Sequence, residues 1–164
     1  MFQSLTAPPP DGILQVMKLF GEDPRKEKVD LGVGVYRDDA GNTPVMRAVK
    51  AAEAHLLKTQ DTKTYTALAG DPAYHAAMAG LLLGPDFAPE RLAAAASTGG
   101  TGAVRLAMEL IRTANPNATI WISTPTWPNH TLLAQVTGLK QKTYRYYDAA
   151  EGALDRKGMM DDLA

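Results

Sequence analysis

Ser97-Thr98-Gly99-Gly100-Thr101-Gly102 lies between a short apolar run and a long helical pattern, and Trp127-Pro128-Asn129-His130 follows one candidate strand later. Glycines let backbone N–H groups approach a phosphate closely, and a helix start adds a dipole that favours an anion. An indole supplies a planar face on which a ring can lie. In this order the two motifs describe a place to hold a flat, phosphorylated, aromatic molecule.

Each motif has a plainer reading when taken alone. The glycines also suit a tight strand-to-helix turn, Trp127 suits a packed core, and Asn129 suits a helix cap. His130 alone suits a hydrogen-bonded structural histidine, and Tyr65 in its Thr-rich stretch suits a half-buried aromatic. No Gly-Lys-Ser/Thr follows the glycines, which argues against a nucleoside-triphosphate loop, and the G-x-G-x-x-G spacing of a dinucleotide fold is absent.

The elements that must position these groups follow from periodicity. Arg91 to Thr98 reads as a buried strand entering the glycine loop, despite the helix propensity of its four alanines. The helix after the loop places Val104, Ala107, Met108 and Ile111 on one face and Arg105, Glu109 and Arg112 on the other, and Asn115-Pro116-Asn117 closes it. Thr119 to Ser123 is a strand, 130–137 a helix ended by Gly138, and Lys142 to Tyr147 alternates as a strand does. This alternation predicts an α/β fold with a mostly parallel sheet and flanking helices. Ligands of such sheets bind beyond the carboxyl ends of the strands, where both motifs fall.

Upstream, Pro8-Pro9-Pro10-Asp11-Gly12 marks an extended arm, and Ile13 to Phe20 is a candidate helix broken by Asp23-Pro24. Val29 to Tyr36, with Gly32 and Gly34, reads as a strand or extended loop, followed by a turn at Asp38 to Asn42. Helices are predicted from about Pro44 to Lys58, with Pro44 in the first turn, and from Pro72 to Leu83, ended by Gly84-Pro85. Asp155 to Ala164 is the beginning of a helix, readable as a frayed tail or a truncation.

Composition narrows the class. With 164 residues, 45% hydrophobic and 21% charged, the chain has the make-up of one ordinary globular domain. Seventeen basic against 18 acidic side chains leave a net charge of −1, so neither nucleic acid nor an anionic membrane is an expected partner. There is no cysteine, and His55, His75 and His130 lack a metal-ligand spacing, so no metal is expected. The N-terminus lacks the basic start and apolar stretch of a secretory signal, which makes the cytoplasm the expected location.

Four ordered segments carry a resemblance. Leu31-Gly32-Val33-Gly34-Val35-Tyr36-Arg37-Asp38, Thr62-Lys63-Thr64-Tyr65, Gly99-Gly100-Thr101-Gly102-Ala103 and Thr126-Trp127-Pro128-Asn129-His130 closely resemble the aspartate and aromatic amino-acid aminotransferases. That family is the class I, fold type I group of pyridoxal-phosphate enzymes. The resemblance extends almost from Met1 to Ala164. It implies a partial pyridoxal-phosphate transferase fold: an N-terminal arm and small-domain segment over 1–44, then an incomplete large cofactor-binding domain over 45–164.

Roles carry over position by position. The resemblance implies that Gly99, Gly100 and Thr101 hold the phosphate of pyridoxal 5'-phosphate, with Tyr65 reaching the phosphate in the other subunit of a homodimer. It implies that Trp127 stacks on the pyridine ring and borders the substrate. His130 would orient an aspartate that pairs with the ring nitrogen. Gly34 would offer its N–H to the substrate α-carboxylate, and Val33, Ile13 and Leu14 would shape an apolar wall. The substrates would be an aspartate-like or aromatic amino acid and a 2-oxo acid. The family's cofactor-bearing lysine has no matching motif here, so no catalytic residue is expected within the chain, and residues 1–164 alone are expected to be inactive. A non-catalytic phosphate-ligand module and another phosphate-handling α/β protein are the alternatives.

Overall fold

The computed structural model describes residues 3, 4, 6, 12–32 and 34–164. The chain divides into two compact units, Met1–Lys63 and Thr64–Ala164.

The first unit holds α1 (Gly12–Glu22) and α2 (Arg47–Thr59). Helix α2 starts later than its sequence suggests. Pro44 lies three residues before Arg47 rather than in the first turn, and the N-cap Met46 has no side chain able to cap. Among the described residues of 29–36 none pairs in a ladder, so the strand option is not taken there.

The second unit begins with α3 (Pro72–Leu83), whose bounds match the prediction. Asp71 accepts the Ala73 N–H at 2.7 Å, Pro72 opens the first turn and Gly84 ends the helix. A short 3-10 turn, Pro89–Arg91, leads into residues 92–98, which are exposed and outside any ladder. The expected buried strand is therefore corrected: a strand is defined by a paired neighbour, and among the described residues this segment has none. Helix α4 (Gly99–Ala114) follows.

Strand β1 (Thr119–Thr124) runs parallel to β2 (Lys140–Arg145), from Thr119 opposite Lys140 to Thr124 opposite Arg145. The crossover between them is α5 (Pro128–Thr137), which Gly138 ends. Strand β2 starts two residues before its predicted position and stops at Arg145. Tyr147–Asp148 (β3) instead pairs antiparallel with Ala153–Leu154 (β4), before α6 (Arg156–Leu163). The parallel α/β expectation holds for β1 and β2, which form a sheet of two.

The core sits where α4, α5 and β1 meet. Met108, Ile122, Leu133, Ala134 and Leu139 are buried together, with Val104, Ala118 and Ile120 packed against them. Thr137 is the one polar residue buried alongside among the described residues; its hydroxyl donates back to the Leu133 and Ala134 carbonyls at 2.8 and 3.1 Å. That pairing removes the cost of burying an unsatisfied hydroxyl.

Helix α6 is tied to β2 by an ion pair. The Arg145 guanidinium and backbone N–H both donate to the Asp162 carboxylate, at 2.7, 3.0 and 2.8 Å. These bonds hold the Asp162 carboxyl down to about 2, below the ordinary 3.8. A carboxyl lowered on folding stabilises above its unfolded value and loses that contribution as pH falls through its folded value. Wild type should therefore be more stable than Asp162→Asn at neutral pH. The two urea midpoints should converge as pH drops from about 4 to about 2. A difference that persists unchanged at the acid end would contradict the assignment.

Candidate functional site

The start of α4 shows how the glycines are used. Residues 92–98 deliver the chain to Thr98, Gly99 takes a left-handed φ of 65°, and its N–H donates to the Ser97 carbonyl at 3.0 Å. The N–H groups of a helix's first turn have no carbonyl within the helix to donate to, so they are available to an anion. Thr98, at the N-cap, makes no side-chain capping bond. A Cβ at Gly99 or Gly100 would meet nothing within 4 Å, because both residues face an open cavity of about 670 Å³.

Two helix N-termini border this cavity, since Asp71 lines it as well. The Asp71 carboxylate already caps α3, so the start of α4 is the one without a side-chain anion of its own. Thr66, Ser97 and Tyr74 add hydroxyls to the wall. Beside Gly70 the cavity walls are joined by a backbone bond, the Ala96 N–H donating to the Ala69 carbonyl at 2.7 Å. A Cβ on Gly70, whose φ is +104°, would lie 2.6 Å from that of Ala96.

The second motif surrounds the start of α5. Trp127 is the N-cap residue itself and Pro128 opens the helix, so the capping alternative for Asn129 does not arise. The Trp127 and His130 rings meet edge to face, 5.4 Å apart at 89°. The Thr126 hydroxyl holds His130 Nδ1 at 2.8 Å. Trp127 keeps 40% of its surface exposed. His130 lines a smaller cavity of about 250 Å³ near the carboxyl end of β1, with Ser123, Thr126 and Tyr144.

The expected site residues therefore fall in separate groups. Gly99 and Gly100 share one cavity with Thr101 in the same helical turn, whereas Trp127 and His130 pair with each other and do not line that cavity. Tyr65 is fully exposed. Gly34, exposed, and Ile13 and Leu14, on α1 with 41% and 63% exposure, belong to the first unit. Val33 lies outside the described residues.

Sequence reading missed Thr66, Gly70, Asp71 and Tyr74 as cavity residues. Asp71-Pro72 carries a helix-start signature, but nothing in the order of residues says that this start faces α4. Among the described residues, no group of three or more acidic or histidine side chains could hold a metal, and no helix is long and apolar enough to cross a membrane.

A parallel α/β crossover preceded by a glycine-opened helix defines the structural class. Residues 26–164 match the family described as aminotransferase class I and II. The chain is 49% identical over its whole length to an aromatic-amino-acid aminotransferase of Paracoccus denitrificans, and 41% identical to an aspartate aminotransferase of Haemophilus influenzae. It covers 42% of each of these relatives. The solved structure of an aromatic amino acid aminotransferase with 3-indolebutyric acid superposes with a TM-score of 0.92 at 49% identity. That match takes in 99% of this chain and 41% of the other. The aromatic-amino-acid aminotransferase of Burkholderia pseudomallei, covalently bound to pyridoxal phosphate, superposes with a TM-score of 0.91 at 37% identity, over 99% of this chain and 42% of its own. The chain belongs to the class I and II aminotransferase family, and it has that family's α/β fold in part.

Proposed function

We propose that this chain is the N-terminal part of a pyridoxal-phosphate aminotransferase that moves an amino group between an aspartate-like or aromatic amino acid and a 2-oxo acid. The observation that carries the reading is the start of α4, where Gly99 and Gly100 leave open space in which a phosphate would sit. The residues present fit the cofactor: a Cβ at either glycine would intrude on that space. When bound, the cofactor supplies an electron sink for the bond broken at the substrate Cα.

In this reading Gly99, Gly100 and Thr101 bind the phosphate through N–H groups and a hydroxyl. Trp127 fixes the ring plane, which keeps the breaking bond aligned with the π system. His130, held at Nδ1 by Thr126, is steered so that its other nitrogen can orient the acidic partner of the ring. Gly34 binds the substrate α-carboxylate through its N–H, and Ile13, Leu14 and Val33 form the apolar wall. Full exposure of Tyr65 supports a role outside its own subunit, at the phosphate of a homodimer partner. The enzyme works in the cytoplasm, without nucleic acid or membrane as partner.

Two measurements test this. Borohydride reduction of the chain with pyridoxal phosphate, followed by mass spectrometry, should leave every lysine within residues 1–164 without stoichiometric label. One fully labelled lysine there would overturn the assignment of the chemistry to a segment beyond this chain. In the intact enzyme, Trp127→Ala should cost about 1–2 kcal/mol of cofactor binding, a loss of about 5- to 30-fold by absorbance titration. An unchanged affinity would remove Trp127 from the site.

A further inference from the structure

The loop that carries Gly34 is held by a buried carboxylate to which the sequence reading assigned no role. The Asp30 side chain is only 7% exposed, and both its oxygens are occupied. Oδ1 accepts the Gly32 N–H at 3.0 Å, and Oδ2 accepts Arg37 Nη2 at 2.7 Å. Arg37 in turn donates to the Gly41 carbonyl at 3.4 Å. Gly41 belongs to a turn that Asp38 closes by accepting the Ala40 and Asn42 N–H groups. The two residues that Asp30 grips stand on either side of Gly34 in the chain, two before it and three after.

Helix α1 leans on the same place. A Cβ on Gly32 would lie 3.0 Å from Val16 Cγ1, so the helix packs directly against the residue that Asp30 holds. Lys28 fastens the far end of α1, donating at 2.6 Å to the Phe20 and Asp23 carbonyls with its ammonium 4.5 Å from the Phe20 ring centroid. Beside Gly34, by contrast, a Cβ would meet nothing within 4 Å among the described residues. Among the described residues, the chain is braced on both sides of Gly34 in sequence while nothing crowds the glycine itself.

We propose that Asp30 is a positioning residue, which with Arg37 sets the backbone of Gly34 to receive the substrate's α-carboxylate. The proposal rests on the role given to Gly34 above. A buried carboxylate is tolerated only when paired and hydrogen-bonded, so the clamp is kept closed by the cost of opening it. The energy is spent on geometry at a neighbouring amide rather than on contact with the substrate itself.

Steady-state kinetics of the intact enzyme, with hydrogen exchange at the Gly32 amide, test it. Asp30→Ala should raise KM for the amino acid about tenfold while changing kcat and cofactor affinity little, and should speed exchange at Gly32. Asp30→Asn keeps an acceptor for the Gly32 N–H but loses the Arg37 grip. It should fall between wild type and Asp30→Ala in KM while retaining slow exchange at Gly32. An unchanged KM in Asp30→Ala, with an active wild type, overturns the proposal. So does a parallel loss of kcat and cofactor, which marks general damage. A wild type that transaminates nothing overturns the reading of Gly34 and the positioning role with it, and the inactive parent distinguishes that failure from the other two.

Discussion

Replacing Gly70 by alanine should destabilise the second unit by about 2–4 kcal/mol and shift its urea midpoint accordingly. Two independent causes add. The backbone at Gly70 has φ +104°, outside the range that residues with a Cβ adopt readily. The new Cβ would also sit 2.6 Å from the Ala96 Cβ, closer than real Cβ contacts come, and a tight 3.2 Å from His75 Nε2. A second substitution separates the causes: Ala96→Gly in the Gly70→Ala background removes the collision and leaves the dihedral strain. Partial recovery, close to half, is expected, and the non-additivity of the pair measures the steric part. Because Gly70 and Ala96 both line the cavity at the start of α4, Gly70→Ala should also weaken pyridoxal phosphate in the intact enzyme. Full stability in Gly70→Ala would mean that the Ala69–Ala96 contact is not kept in solution.

Ile122→Ala should cost a comparable amount, about 2–5 kcal/mol, by a different route. Ile122 is 5% exposed and faces Met108, Leu133, Ala134 and Leu139 between β1 and the two helices. Removing three carbons there loses their transfer energy and leaves a void that a small cluster can only partly close. The urea midpoint should fall with little change in slope, since the same surface is exposed on unfolding. Leu132→Ala provides the control: one residue before Leu133 and 54% exposed, it should move the midpoint far less. Equal effects from the two would show that burial at Ile122 has been overstated.

Where residues near one another in the chain decide structure, the sequence was readable. Asp71, Pro72 and Gly84 bound α3 as their types require, and the diglycine opens α4 while Asn115-Pro116-Asn117 closes it. Gly138 stops α5 because its left-handed backbone turns the chain while its N–H still reaches back into the helix. Where distant partners decide, the sequence was opaque. Residues 92–98 read as a strand in sequence, but among the described residues no ladder partner completes one. The β3–β4 pairing depends on a turn that local alternation did not reveal, and the Arg145–Asp162 pair joins residues 17 apart. The motifs of the candidate site were legible as motifs. Their division between the glycine cavity and the Trp127–His130 pair was not, because that depends on how α3, α4 and α5 pack.

Among the described residues β1 is paired along one side only, and this has a practical consequence. A strand hydrogen-bonded along a single flank presents a row of backbone donors and acceptors to any extended peptide that approaches, whether or not it is the right one. Made on its own, this stretch of polypeptide would therefore adhere to copies of itself, and keeping it dispersed at the bench calls for dilution or a capping peptide.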